Sequence, residues 1–166
     1  IYIVEDDYDS EFRYDGPPIH PLKALDSEKV IYIGSFSKVL SPALRIGYSV
    51  LPSRLVEKFK CLKRFSDAQS PILDQIALKN FIKDGLFEKH IFKMKRAYKK
   101  KRDVLIKALE EEFGDKVRIY GENAGLHIVA EFRGRQLDYN NNFELINNDV
   151  FIHSVEKHAL KKGRHK

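Results

Sequence analysis

The chain has 166 residues, 43% of them hydrophobic, enough for one domain with a substantial core or for parts of two. Its net charge is +6 and its pI near 9.3, yet no run of about 18 apolar residues exists and the first residues lack the basic-then-apolar layout of a secretory leader, so membrane insertion and secretion are not indicated. The single cysteine, Cys61, has no neighbouring Cys/His set at metal-ligand spacing, which excludes an internal disulfide, points to no metal site and fits a reducing, cytoplasmic setting.

In chain order, Ile1 to Val4 are β-branched or aromatic and stop at the acidic cluster Glu5, Asp6, Asp7, the pattern of a buried strand that ends in a functional loop. Strands are predicted at 29–34 and 45–51, with an irregular crossing over the proline-containing stretch from Asp15 to Asp26. From Ser53, read as an N-cap, Leu55, Val56, Phe59 and Leu62 set a helical period to about Phe65. Ser70-Pro71 opens a second helix, with proline at its first position, that ends near Gly85. A long amphipathic helix then runs from about Leu86 to Phe113, with Gly114 as its stop.

Beyond it, Val117 to Tyr120 and Leu126 to Phe132 read as a strand pair joined through Gly121 to Gly125. A polar, Asn-rich loop from Gly134, with a short helix at 143–147, precedes one more strand at 150–155. The layout shifts from buried strands to a smaller α+β unit, and the domain boundary is expected inside the long helix. Both chain ends look cut.

The eight cations between Lys89 and Arg102 could touch nucleic acid, but Phe87, Ile91, Met94, Tyr98, Leu105 and Leu109 recur at helical spacings on the same segment. A solvated helix face is the better reading. His127, on an alternating strand, reads as a packed side chain rather than a base.

Three features share the first fifty residues: the cluster ending Asp6-Asp7-Tyr8, the loop Gly34-Ser35-Phe36-Ser37-Lys38, and Arg45. Taken singly, such residues are a turn cap, a solvent-facing lysine and a surface-paired arginine. Together they match the needs of pyridoxal 5′-phosphate (PLP). A lysine amine condenses with the cofactor aldehyde as a Schiff base, a carboxylate keeps the pyridine nitrogen protonated, and hydroxyl and guanidinium donors hold the phosphate. Lys38, Asp6, Ser35 and Arg45 supply one candidate for each role. Asp7 and Asp9 are expected to bond backbone donors near the turn.

The strings Val4-Glu5-Asp6-Asp7-Tyr8-Asp9-Ser10-Glu11-Phe12-Arg13-Tyr14, Ser35-Phe36-Ser37-Lys38 and Ser41-Pro42-Ala43-Leu44-Arg45-Ile46-Gly47-Tyr48 resemble the MocR/GabR branch of GntR-type bacterial transcription regulators. His90-Ile91 with Met94, Tyr98 and Arg102, and Ala124-Gly125-Leu126-His127, extend the resemblance to at least Phe132. It implies an α/β fold: residues 1–100 would be the C-terminal part of a fold-type-I, PLP-binding large domain, a mostly parallel sheet flanked by helices, and residues 101–166 an incomplete small α+β domain.

It further implies that Lys38 forms the internal aldimine, that Asp6 pairs with the pyridine nitrogen and Tyr8 with the phenolic oxygen, and that Arg45 with Ser35 holds the phosphate. Ser37 is either a further phosphate donor or a hydroxyl capping its own loop. The aromatic that stacks on the cofactor ring in this family would precede residue 1. The arginine that receives the substrate carboxylate would follow residue 166; Arg133, Arg135 and Arg164 do not sit in its motif.

The parent would be a cytoplasmic homodimer that reaches DNA only through an N-terminal winged-helix domain and senses an amine or amino acid by transimination at Lys38. The Glu5-to-Phe12 string lacks the Pro before Tyr common in related true aminotransferases. The alternatives are a class I/II aminotransferase moving an amino group from an amino acid to a 2-oxo acid, and a truncated chain with no activity by itself.

Overall fold

A computed structural model describes residues 1–134 and 151–158. These fall into two compact units: Ile1–Arg102 with Asn123–Leu126, and Asp103–Glu122 with His127–Lys166.

The first unit is built on a three-stranded sheet of order β1-β2-β3, with β1 Ile3–Asp7, β2 Val30–Ser35 and β3 Gly47–Val50. β1 and β2 are parallel, with Ile3 opposite Val30 and Asp7 opposite Gly34, whereas β3 returns antiparallel, with Ser35 opposite Gly47. The first strand thus starts two residues late and takes in the acidic cluster. It is also not buried: Ile3 and Val4 are exposed on its two faces.

The crossing from β1 to β2 is irregular as far as Pro21 and then makes a single helical turn, α1 Leu22–Leu25. Sequence periodicity is blind to so short a helix; what holds it is Glu5, whose two carboxylate oxygens accept from the backbone N–H of Leu22 (2.7 Å) and Lys23 (2.9 Å). The third strand is shorter than predicted because Pro42–Leu44 winds into a 3-10 turn, capped by Ser41 Oγ accepting from Ala43 N, that runs up to Arg45.

Helix α2 spans Ser53–Ser66 and α3 spans Ile72–Lys83. Pro52 and Pro71 stand at the N-cap, each extended, so α2 starts one residue earlier than the sequence suggests and α3 one residue later. Ser53 is therefore inside the helix, and its hydroxyl donates to the Glu28 carboxylate at 3.2 Å rather than capping. Gly85, at φ +67, ends α3 in the left-handed conformation that glycine takes without strain, and its N–H donates to Ile82 O.

Helix α4, Leu86–Phe113, has the predicted bounds. No Gly or Pro interrupts it, and it is rich in Lys and Glu, both good helix formers. Its basic run is mostly exposed, and Lys99 and Arg102 both turn to Asp15, at 3.4 and 3.0 Å. The Arg102 guanidinium also lies 4.8 Å from the Tyr14 ring centre. That pairing holds the Asp15 carboxyl below its ordinary range, chiefly through the Arg102 hydrogen bond.

The core of this unit is Phe12, Val30, Val39, Ile46 and Leu78. Phe12 is fully enclosed and meets Tyr98 of α4 edge-on, ring centres 5.2 Å apart. Its burial alone is worth about 2–3 kcal/mol.

In the second unit β4, Val117–Tyr120, pairs antiparallel with β5, Val129–Phe132. β5 starts three residues later than predicted because the preceding residues are held elsewhere: Gly125 N donates to Phe12 O (2.8 Å) and Leu126 N to Asp9 Oδ2 (3.2 Å). Phe113 packs edge-on against Phe132 at 4.9 Å. Of the strand predicted at 150–155, residues 151–154 have no regular structure and Val155–His158 is a 3-10 turn. The short helix predicted at 143–147, Val150, Arg135 and Arg164 lie outside the described residues.

Candidate cofactor site

Because β1 and β2 run parallel and in register, their carboxyl ends open on the same edge of the sheet. Ligands in open α/β sheets bind at such an edge. β1 delivers Asp6 and then Tyr8 there, and β2 delivers Ser35 and the loop with Ser37 and Lys38. The antiparallel β3 begins at that edge, so Arg45, two residues ahead of it, arrives from the other direction. Six residues separated by up to 39 positions are thereby brought to the ends of three adjoining strands.

Alternation sorts the side chains by face. Asp6 shares a face with its partner Ile33 and with Ser35, whereas Asp7 shares the opposite face with Gly34 and Tyr32. The two aspartates accordingly do different things. Asp7 accepts from Ser10 N (3.2 Å), Ser10 Oγ (2.8 Å) and the Tyr32 hydroxyl (2.7 Å). Asp9 likewise takes a backbone donor, Leu126 N. Asp6, in contrast, makes no side-chain hydrogen bond or ion pair among the described residues, and the same holds for Tyr8, Lys38 and Arg45. All four are exposed.

The loop after β2 is a turn of helix-like geometry, closed by Leu40 N donating to Phe36 O (2.9 Å) and tied to β3 by Phe36 N donating to Ile46 O (3.1 Å). Within it the capping hydroxyl is that of Ser35, which accepts from Ser37 N at 3.1 Å. The cap that the sequence left open for Ser37 thus belongs to Ser35. Ser35 keeps its own proton to donate, and the Ser37 side chain bonds nothing in the loop.

Arg45 sits at φ 51, ψ 32. A left-handed conformation strains any residue with a Cβ by about 1 kcal/mol. Ala68 is the other residue with a Cβ that takes this conformation among the described residues, at φ 57.

One brace escaped the sequence reading. Tyr48 of β3 lies across β2 at Gly34, where any Cβ would collide with its ring, and it leans on Phe36 (5.4 Å) and Tyr32 (6.1 Å). Burial, then the hydrogen bond to Asp7, push the Tyr32 phenol far above its ordinary 10.0, so it remains a donor at any working pH. Only the pairing of Gly34 with Tyr48, invisible without the register, betrays this arrangement.

Among the described residues no cluster of three His, Cys, Asp or Glu could hold a metal ion, and no helix is long and apolar enough to cross a membrane. His127 is exposed.

The fold is that of the fold-type-I, PLP-dependent class. Residues 4–158 match the family of aminotransferases class I and II, and the chain belongs to that family.

Among its relatives are the uncharacterized HTH-type transcriptional regulator YdeL of Bacillus subtilis, 45% identical over 78% of this chain, and the probable rhizopine catabolism regulatory protein MocR of Rhizobium meliloti, 39% identical over 79% of it. The kynurenine aminotransferase of Pyrococcus horikoshii, solved in complex with PMP, superposes with a TM-score of 0.82 at 32% identity over 93% of the chain. The chain spans 28% and 27% of the two regulators and 39% of the aminotransferase.

The donor set suits such a cofactor. An exposed amine, an unengaged carboxylate, an exposed phenol, two hydroxyls and a strained guanidinium stand at one sheet edge.

Proposed function

We propose that this chain is the PLP-binding portion of the effector domain of a bacterial transcription regulator, in which an amine or amino acid is sensed at Lys38. The observation that carries the reading is the set at the carboxyl ends of β1 and β2, where Asp6, Tyr8, Lys38 and Arg45 make no hydrogen bond or ion pair among the described residues while neighbouring Asp7 is engaged three times.

PLP supplies, when bound, an aldehyde that condenses with amines and a ring that accepts electron density. The chain's own part is to hold and to poise. Arg45, with the hydroxyls of Ser35 and Ser37, would hold the phosphate, the guanidinium by two parallel N–H donors. Asp6 would keep a proton at the ring nitrogen, and Tyr8 would donate to the phenolic oxygen. Lys38 would be the amine joined to the cofactor and, once displaced by a ligand amine, a base within reach of that ligand.

Residues 1–100 would serve as the end of the large domain and 101–166 as part of the small one. The protein would be a cytoplasmic homodimer that contacts DNA through an HTH domain outside this chain, as the regulators YdeL and MocR are HTH or regulatory proteins by description.

The likeness to an aminotransferase supports a second reading, amino-group transfer to a 2-oxo acid, for which the same residues suffice. One experiment separates the two. The product of the complete gene is loaded with PLP and offered single amino acids and amines while absorbance, 2-oxo acid and DNA affinity are followed. A spectral change with altered DNA affinity and no 2-oxo acid is the expected result. Stoichiometric 2-oxo acid without a DNA effect selects the enzyme, and no retained PLP sinks both.

A further inference from the structure

We propose that Tyr32, braced by Tyr48, is a positioning residue for the cofactor site, fixing through Asp7 the backbone that presents Asp6 and Tyr8. The inference rests on the PLP reading above and adds a part of the molecule that touches no ligand.

Asp6 and Tyr8 flank Asp7 in the chain, so whatever fixes the Asp7 backbone fixes the starting points of both side chains. Asp7 is fixed twice. Its bonds to Ser10 N and Oγ close the turn that follows β1, and its 2.7 Å bond from Tyr32 ties that turn to β2, the strand that leads into the Lys38 loop. Hydrogen bonds to an ionised acceptor are about twice as strong as neutral ones.

Tyr32 is in turn kept in place by Tyr48, whose ring can cross β2 only because residue 34 is glycine. Tyr48 also leans on Phe36, inside the Ser35-to-Lys38 loop, and Phe36 packs edge-on to Phe87 of α4 at 5.7 Å. One continuous aromatic and hydrogen-bonded brace therefore runs on the face away from Asp6 and Ser35, from the turn carrying Tyr8 to the loop carrying Lys38.

The brace fixes the spacing between a carboxylate, a phenol and an amine that must address one small ring, where a misplacement of about 1 Å is felt. The charged or titratable groups facing Tyr32 are Asp7 and the Tyr48 hydroxyl.

The test uses the product of the complete gene. Tyr32→Phe keeps the ring and its packing and removes only the hydroxyl. PLP affinity and the pH midpoint of the absorbance change of bound PLP are measured, with Tm alongside. The midpoint reports how Asp6 and Tyr8 address the ring, which a loss of stability alone does not move.

The expected result is affinity weaker by about tenfold and a midpoint displaced by about half a pH unit or more. Asp7→Asn, which also weakens the Ser10 bonds, should move both readouts the same way and at least as far, and the double variant should be little worse than Asp7→Asn alone, since the Tyr32 link is already broken. Wild-type affinity and midpoint in Tyr32→Phe overturn the inference whatever its Tm, and should that variant not fold, Asp7→Asn decides alone by the same readouts. A wild-type protein that binds no PLP overturns this inference and the site reading together, whereas normal binding with an indifferent Tyr32→Phe overturns this inference only.

Discussion

The two faces at the carboxyl end of the first sheet are made from alternate residues of the same strands, yet their chemistry is opposite. On one, Asp7, Tyr32, Tyr48 and Ser10 satisfy one another across three strands. On the other, Asp6 has no hydrogen-bond or ion-pair partner among the described residues, and neither have Tyr8, Lys38 and Arg45 at the same edge. A folded chain gains little by leaving a carboxylate, an amine and a guanidinium at one sheet edge without bonding them, which supports the proposal that this edge serves a ligand. In the proposal above, the engaged face fixes the backbone that presents Asp6 and Tyr8 on the other.

Lys38→Ala gives the largest effect expected on the open face. With the amine removed, the complete protein should lose the absorbance of covalently held PLP and bind the cofactor about a hundredfold or more weaker, while Tm in the absence of PLP changes little because Lys38 is exposed and makes no hydrogen bond or ion pair among the described residues. An unchanged spectrum would place the amine elsewhere and dissolve the contrast between the faces.

Arg45→Gly separates function from stability. Glycine relieves the left-handed strain at φ 51 but loosens the unfolded chain, and the two terms, each about 1 kcal/mol, nearly cancel. Unfolding free energy should therefore stay within about 1 kcal/mol of wild type while PLP affinity falls at least about tenfold, as for a lost bidentate phosphate contact. A destabilised variant with full affinity would make Arg45 a structural residue.

Gly34→Ala probes the engaged face. A methyl group there strikes the Tyr48 ring, which must swing away from Tyr32. Overpacking of this kind costs about 1–3 kcal/mol, to be read from urea unfolding. Alanine tolerated without loss would mean that the Tyr48 ring is not held where the structure puts it.

The sequence singles out the candidate set at the open edge and passes over the engaged face. Lys38, Asp6, Tyr8 and Arg45 announce themselves through residue types that have few other reasons to recur together at these positions. Tyr32 and Tyr48 do not, since an aromatic on a strand is ordinary and their meeting depends on the β2–β3 register and on Gly34. The long helix was read to the residue because an uninterrupted helical period and two flanking glycines define it. The errors fell where long-range bonds override local pattern. Glu5 builds α1 from 17 residues away, and Asp9 with Phe12 hold Gly125 and Leu126 out of β5.

The smallest effect belongs to Glu11, which sits between the two behaviours. It is half-buried, and desolvation first, then the nearby charges of Asp7 and Asp9, raise its pKa above the ordinary 4.5, although its own backbone hydrogen bond opposes them. A carboxyl whose folded pKa is raised favours folding below the unfolded value and loses that contribution as pH climbs through the folded value. At neutral pH Glu11 is therefore a mild liability. Glu11→Gln should raise stability slightly at pH 7, by no more than about 1 kcal/mol given its remaining exposure, and the gain should vanish when unfolding is repeated below pH 4.5. A gain that persists at low pH would assign the effect to packing instead. A loss at pH 7 would show that the Glu11 carboxylate is held by a partner, as Asp7 is.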